Sequence, residues 1–214
     1  MRNEHKNRTK FIISLVARLP YFSLTDLAVT GEKSSYLRIL LARYVKSGIL
    51  MRLKKGMYVR RTYLDEVEKK QNLPAYQEFI ANMLNSPSYV SLEYVLYHEG
   101  ILTEMPVNFT SVTLNKTKKY HNEFGNFIYH SIKPELFLGF KRLKIDEWEI
   151  LKASRAKALF DFIYFRKDIL PSARAVNELR LNLSILNTDD KKELRKYCTV
   201  AQNKKVKQII FSLL

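Results

Sequence analysis

Residues 33–61 read KSSYLRILLARYVKSGILMRLKKGMYVRR, a basic helical stretch followed at once by a basic hairpin pattern. Leu37, Leu40, Leu41, Tyr44 and Val45 recur at i, i+3, i+4, i+7 and i+8, so a helix here gathers them on one face against a core. The opposite face carries Ser35, Ile39, Ala42 and Lys46, flanked by Arg38 and Arg43. Gly48 stands where a left-handed C-terminal cap is wanted, and residues 49–53 resume as a short apolar strand. Lys54-Lys55-Gly56 supplies the turn and Met57-Tyr58-Val59 the returning strand, which places two lysines at a hairpin tip.

Upstream, residues 9–18 carry apolar side chains at helical spacing and end just ahead of Pro20, which predicts a first helix. Ser23-Leu24-Thr25-Asp26 has the spacing of a capping box and predicts a short second helix through Val29, with Thr30-Gly31 as the turn after it. The order is helix, short helix, turn, long helix, hairpin. That order is the layout of a winged helix-turn-helix, in which the long helix enters the major groove of duplex DNA and the hairpin rests on the backbone. On this reading residues 33–46 enter the groove by their N-terminal turn. Ser34, Ser35 and Arg38 lie nearest the base edges, Lys33 begins the DNA-binding stretch, and Ile39 can reach a thymine methyl. Arg43, Lys46, Arg52, Lys54 and Lys55 hold phosphates, setting affinity and orientation more than sequence choice.

Charge points the same way. The net charge of the 214-residue chain is +16, and residues 1–61 hold 14 Lys+Arg against 3 Asp+Glu. A net of +11 therefore falls in the segment whose pattern already reads as a DNA binder. A hydrophobic content of 46% with ordinary charge density describes a folded chain with room for two modest domains. The single cysteine, Cys198, excludes an intrachain disulfide framework and a cysteine zinc site, and it fits a reducing cytoplasm. Residues 11–17 are too short for a signal peptide core and are closed by Arg18. No run approaches the roughly 20 apolar residues of a membrane span, so no membrane partner is expected.

Residues 62–73 read as a connecting helix or linker running into Pro74. Helices are predicted from Ala75 to Leu84 and, capped by Ser91 and ended by Gly100, from Leu92 to His98. Beyond Phe109 the pattern turns extended. Strands are expected over 109–114, 124–132 with a Gly125-Asn126 turn, 137–143 and 148–151, making a small sheet of about four strands. Residues 153–166 then read as a helix, the segment from Pro171 through Leu186 as helical, and 191–214 as a last helix or pair after a cap at 188–190. The fold expected is α+β, with a winged helix-turn-helix and linker over 1–74 and a mixed α/β domain with a small sheet and terminal helices over 75–214.

Chemistry-bearing clusters are sparse. His5, His98, His121 and His130 are scattered, and only His121 and His130 stand where a hairpin would bring two together. The six glycines are spread singly, which argues against a phosphate loop. Glu149 and Lys152 are three apart near a strand end and so point to opposite faces. Asp161, within an apolar helix, is best read as the partner of Lys157 at i−4. The 13 tyrosines and 12 phenylalanines read as core more than as base-stacking platforms. No cofactor, metal or catalytic residue is assigned.

Two regions resemble the AbiE-type antitoxins, the regulatory half of a type IV toxin-antitoxin pair in bacteria and their mobile elements. LRILLARYVKSGILMRLKKGMYV, residues 37–59, is similar to that family's winged helix. PSYVSLEYVLYHEGILTE at 87–104 and ASRAKALFDFIYF at 153–165 resemble the paired motifs of its C-terminal antitoxin domain. The segments ELRLNLSILN and KKVKQIIFSLL resemble its terminal helices. The chain departs from the family where Pro-Glu often precedes Lys-Ala-Leu; here Arg155 and Ala156 stand there, so a contact made by that glutamate cannot form.

The resemblance implies a non-catalytic double role, autorepression of the operon through inverted repeats in its own promoter and neutralisation of a nucleotidyltransferase-like toxin. It also implies a monomer or dimer on double-stranded DNA. The competing readings are a DNA-targeting nuclease using Glu149 or Asp161, and a ligand-responsive or dimerising winged-helix transcription factor.

Overall fold

The computed structural model describes residues 11–170 and 178–214. It is a mixed α+β chain, and its contacts divide it into two compact units. The first runs to Tyr76 and includes His121–Phe124; the second is made of Gln77–Tyr120 and Gly125–Leu214.

In the first unit residues 11–15 are helical (α1). Strand β1 (Phe22–Ser23) follows, then a turn and one turn of 3-10 helix at Ala28–Thr30. Helix α2 is Ser34–Lys46. The predicted short second helix is thus a turn with a single 3-10 turn. The reason is local: the Ser23 amide donates to Asp26 Oδ2 at 2.6 Å, but Ser23 is held in β1 by pairing with Met57, and only half of a capping box forms. Strands β2 (Leu50–Lys54) and β3 (Met57–Arg60) form the hairpin, and β1 joins it in a three-stranded sheet of order β1-β3-β2. Ile12, Ile13, Val16, Phe22, Leu27, Leu37, Leu40, Leu41, Leu50 and Tyr58 make one buried cluster beneath α2. At about 1.5–3 kcal/mol for each fully buried large aliphatic side chain, this cluster is what holds α2 to the sheet.

Gly48 is required by its backbone. At φ +72° its N–H donates to Val45 O at 3.1 Å and the Ile49 N–H to Tyr44 O at 3.0 Å, the paired bonds of a Schellman stop. The helix ends there and the chain is turned directly into β2.

Helix α3 (Arg61–Lys69) buries Tyr63, Leu64 and Val67, so the expected connecting segment is an ordered amphipathic helix. Helix α4 (Leu73–Leu84) begins in the first unit, where Tyr76 donates its hydroxyl to Pro20 O at 2.6 Å.

The second unit is built on β4 (Ser88–Val90), β5 (Asn108–Thr113), β6 (Lys118–Asn122, of which His121 and Asn122 are counted in the first unit), β7 (Gly125–Ser131), β8 (Phe140–Ile145) and β9 (Trp148–Ala153). Their order, β6-β7-β5-β4-β9-β8, makes six strands where about four were expected. Two were missed for different reasons. β4 is only three residues long, and β6 reads KKYHN, without apolar alternation. The turn before β7 falls at Glu123-Phe124, since Gly125 and Asn126 are already in the strand.

Helix α5 (Leu92–His98) and helix α6 (Arg155–Arg166) pack together, and α7 (Thr188–Ala201) and α8 (Lys204–Leu213) close over α6. Residues 156–163 of α6 are all buried, which marks it as the central helix of this unit. Of the helix expected from Pro171 through Leu186, residues 171–177 lie outside the described ones. Residues 178–180 are a turn and Leu183–Ile185 a 3-10 turn, so that part is not an α-helix. Among the described residues no helix is long and apolar enough to cross a membrane.

Candidate nucleic-acid interface

The outward face of α2 is set by the inward one. Burial of Leu37, Leu40 and Leu41 turns Ser34, Ser35, Arg38, Ile39, Ala42, Arg43 and Lys46 to solvent, and Lys33 is exposed just before them. Ile39 is 55% exposed among charged neighbours. Among the described residues no carboxylate pairs with Lys33, Arg38, Arg43, Lys46 or Lys55. Five cations are therefore presented to water on the helix and the hairpin of one unit.

The hairpin carries its lysines unequally. Lys54 pairs with Met57 across the strands and is half-buried, whereas Lys55 is exposed at the turn, beside Gly56 at φ +80°. Lys55 is the reaching residue of the tip. Arg52 is exposed on β2 and its Nε donates to Lys54 O at 3.4 Å, a weak bond that leaves the other guanidinium donors outward. The register shift between Arg52 and Lys54 marks a bulge, which strengthens the local twist of the hairpin.

Sequence reasoning did not find the residues that brace this hairpin. Asn122 is buried and donates from Nδ2 to Leu53 O at 3.0 Å, while its Oδ1 accepts the Phe124 amide at 2.8 Å. Arg61 pairs with Glu123 on the same short segment. Phe124 packs edge-on against Tyr76 with centroids 5.9 Å apart. These contacts reach across 48 to 69 positions of sequence, and no periodicity announces them.

Several titratable groups of the second unit are engaged with one another inside its core. Lys157 Nζ meets Asp161 Oδ1 at 2.6 Å with both side chains fully buried, as the i−4 spacing predicted. Asp161 Oδ2 accepts from Ser91 Oγ at 2.8 Å and Tyr89 Oη at 3.0 Å, so the serine that begins α5 points to the carboxylate and makes no cap bond. Burial, only partly offset by Lys157 and these hydroxyls, raises the Asp161 pKa. The same cause, with the Asp161 charge added, pushes the Tyr89 hydroxyl well above its usual range.

Elsewhere Lys152 Nζ lies 2.8 Å from Glu78 Oε1, and Arg155 bridges Glu99 at 3.1 Å and Asp190 at 3.4 Å. Arg155 thus ties α6 to the loop after α5 and to the start of α7.

The two carboxylates named for a nuclease do not share a site. Glu149 is exposed opposite Arg142, and both oxygens of Asp161 are occupied inside the core. His130 packs on Phe165 with centroids 5.1 Å apart, and burial, helped by Lys119, holds its imidazole below the ordinary range. His121 lies on β6, the strand next to β7 that carries His130. Among the described residues no group of three or more His, Cys, Asp or Glu side chains could hold a metal. Cys198 is buried and its thiol is pushed up to about 11, mainly by that burial. The aromatics largely stack on one another, as in Tyr89 on Phe140 at 4.7 Å and Phe109 on Phe127 at 4.8 Å.

The structure thus defines a mixed α+β chain with a basic, outward-facing helix and hairpin in one unit and a charge-paired sheet-and-helix core in the other. No protein-family model and no curated protein matches the chain.

Proposed function

We propose that the chain is the antitoxin and autorepressor of a type IV toxin-antitoxin pair, acting in the cytoplasm, with its first unit serving as a winged helix-turn-helix. The observation that carries the DNA part is the set of cations with no carboxylate partner among the described residues, Lys33, Arg38, Arg43, Lys46 and Lys55, on the solvent face of α2 and the hairpin tip. Unpaired exposed cations on an element of groove-fitting size favour a polyanion, and counterion release from its phosphates supplies the affinity. The sheet order β1-β3-β2, with α2 packed on it, suits a helix that reads and a hairpin that steadies.

Arg38 is the residue for base-edge recognition, with Ser34 and Ser35 beside it. Arg43, Lys46, Arg52 and Lys55 contact phosphates, and Lys54 supports the strand end. The toxin half of the proposal rests on the resemblance of residues 87–104 and 153–165 to the AbiE-type antitoxin domain, and no catalytic step is assigned.

The test has two arms. The purified chain should bind the duplex upstream of its own gene more tightly than a scrambled duplex, and its gene should suppress the toxicity of a neighbouring nucleotidyltransferase-like reading frame. Equal binding to both duplexes removes the repressor role. Unrelieved toxicity on co-expression removes the antitoxin role.

A further inference from the structure

The outward face of α2 has an apolar centre inside a cationic rim. Ser35, Ile39, Ala42 and Lys46 follow one another at i, i+4, i+7 and i+11, and all four are exposed. Arg38 and Arg43 flank the middle of that strip, so its centre is the sec-butyl side chain of Ile39 with the methyl of Ala42 one turn on. Neither side chain can hydrogen-bond a base. What an apolar patch can recognise in a major groove is the C5-methyl of thymine, the one apolar group that a base edge presents there.

An isoleucine 55% exposed keeps apolar surface in water in the free protein, and that surface is relieved only by a partner that brings apolar atoms to it. The cations around it bring phosphates at the same time.

Resting on the duplex-binding reading above, we infer that the helix recognises its site by 5-methyl groups at the centre of the contact, with Ile39 as the main methyl-reading residue and Ala42 as the second. The partner is therefore a thymine-bearing DNA duplex, read at A·T pairs under the middle of α2 and distinguished from its uracil counterpart. Ala42 also sets the fit. A side chain larger than a methyl there holds the helix away from the base edges, so its small size belongs to the recognition.

The experiment compares two forms of the duplex upstream of the gene, one ordinary and one synthesised with uracil in place of every thymine, which removes the methyls and leaves Watson–Crick pairing intact. The wild-type chain should bind the uracil duplex about fourfold more weakly for each methyl lost from the contact, and so about tenfold or more weakly where Ile39 and Ala42 each meet one. Ile39→Ala should weaken binding to the thymine duplex several-fold and respond less to uracil than wild type does. Because Ile39 is outside the core, its melting temperature should stay near wild type, which separates lost contact from lost fold. Ala42→Leu should weaken both duplexes.

Wild-type chain that prefers its upstream duplex over a scramble yet binds thymine and uracil forms equally overturns this inference alone. Chain that does not prefer the upstream duplex at all overturns the duplex-binding reading and this inference with it. An Ile39→Ala variant that keeps the full thymine preference reassigns the methyl contact and overturns the role given to Ile39.

Discussion

The cations of the α2 face and hairpin tip keep different company from four cations packed into the second unit. Along α2 and the hairpin, Lys33, Arg38, Arg43, Lys46 and Lys55 face water without a carboxylate among the described residues. In the second unit Lys152, Arg155, Lys157 and Arg166 each meet a Glu or Asp, and Lys157 does so with no exposure at all. The same residue types therefore have two jobs. A cation left in water costs the fold little and is available to a polyanion, whereas one taken into a core must be paired or it destabilises the state that buries it. The contrast supports the proposed polyanion binding by the first unit, and it marks the buried charge network of the second as part of its core.

The largest effect that would sharpen this contrast is at the buried pair. Asp161→Ala leaves Lys157 charged and enclosed, and it should cost about 3–5 kcal/mol of stability by urea unfolding. Lys157→Met combined with Asp161→Leu should recover only part of that loss, because the two apolar side chains need no partner but the Ser91 and Tyr89 hydroxyls lose theirs. A single Asp161→Ala variant as stable as wild type would show that the second unit does not depend on its charge pairing.

Next comes Gly139, at φ +78°, where a Cβ would stand 2.8 Å from Tyr197 Cζ and 3.1 Å from Lys157 Cδ. Gly139→Ala should therefore destabilise by about 3 kcal/mol, adding overpacking to a strained backbone. A differential scanning melt unchanged from wild type would contradict the tight approach beside the buried lysine.

On the first unit the expected losses are in binding, with stability spared. Arg38→Ala should cost about 1–3 kcal/mol at the preferred duplex and relax discrimination at one base pair. Replacing Arg43, Lys46 and Lys55 together by alanine should weaken all duplexes and lower the salt slope by about three, near 0.9 for each phosphate contact. An unchanged slope, read from fluorescence anisotropy titrations at several salt concentrations, would remove these residues from the backbone contact and break the contrast from that side.

The smallest effect is the acid limb of the second unit. His130 in the folded chain holds its proton less well than in the unfolded chain, because burial, and after it Lys119, disfavours the imidazolium. The unfolded state therefore binds the proton first as pH falls. The contribution of His130 is fully present above about 6.5, the ordinary histidine value, and is lost as pH falls from there through the lower folded value. Urea midpoints compared between pH 7.5 and pH 5.5 should fall for wild type and fall less for His130→Gln. Equal pH dependence in the two would place the acid sensitivity elsewhere.

Local rules found α2, its stop at Gly48 and the hairpin turn at Gly56, because each depends on residues within a few positions of one another. The Lys157–Asp161 pairing was legible for the same reason, one helical turn separating the two. Ser23-Leu24-Thr25-Asp26 shows the limit of such rules. Its spacing promised a helix start, but pairing of Ser23 with Met57, 34 positions away, held the backbone in a strand. Among the candidate interface residues, position on α2 was readable, yet the pattern put Lys54 and Lys55 together at the tip where the folded hairpin buries one in part and exposes the other.

Helical periodicity and the placement of glycine were enough to say that a basic helix meets a basic hairpin near the amino terminus, since solvent sorts apolar from charged residues wherever the 3.6-residue repeat is regular. Which distant strands share a sheet, how Asn122 comes to brace Leu53, and which cations leave water for a carboxylate required the folded chain. Those outcomes depend on groups far apart in sequence competing for the same buried space, and short-range pattern carries no information about that competition.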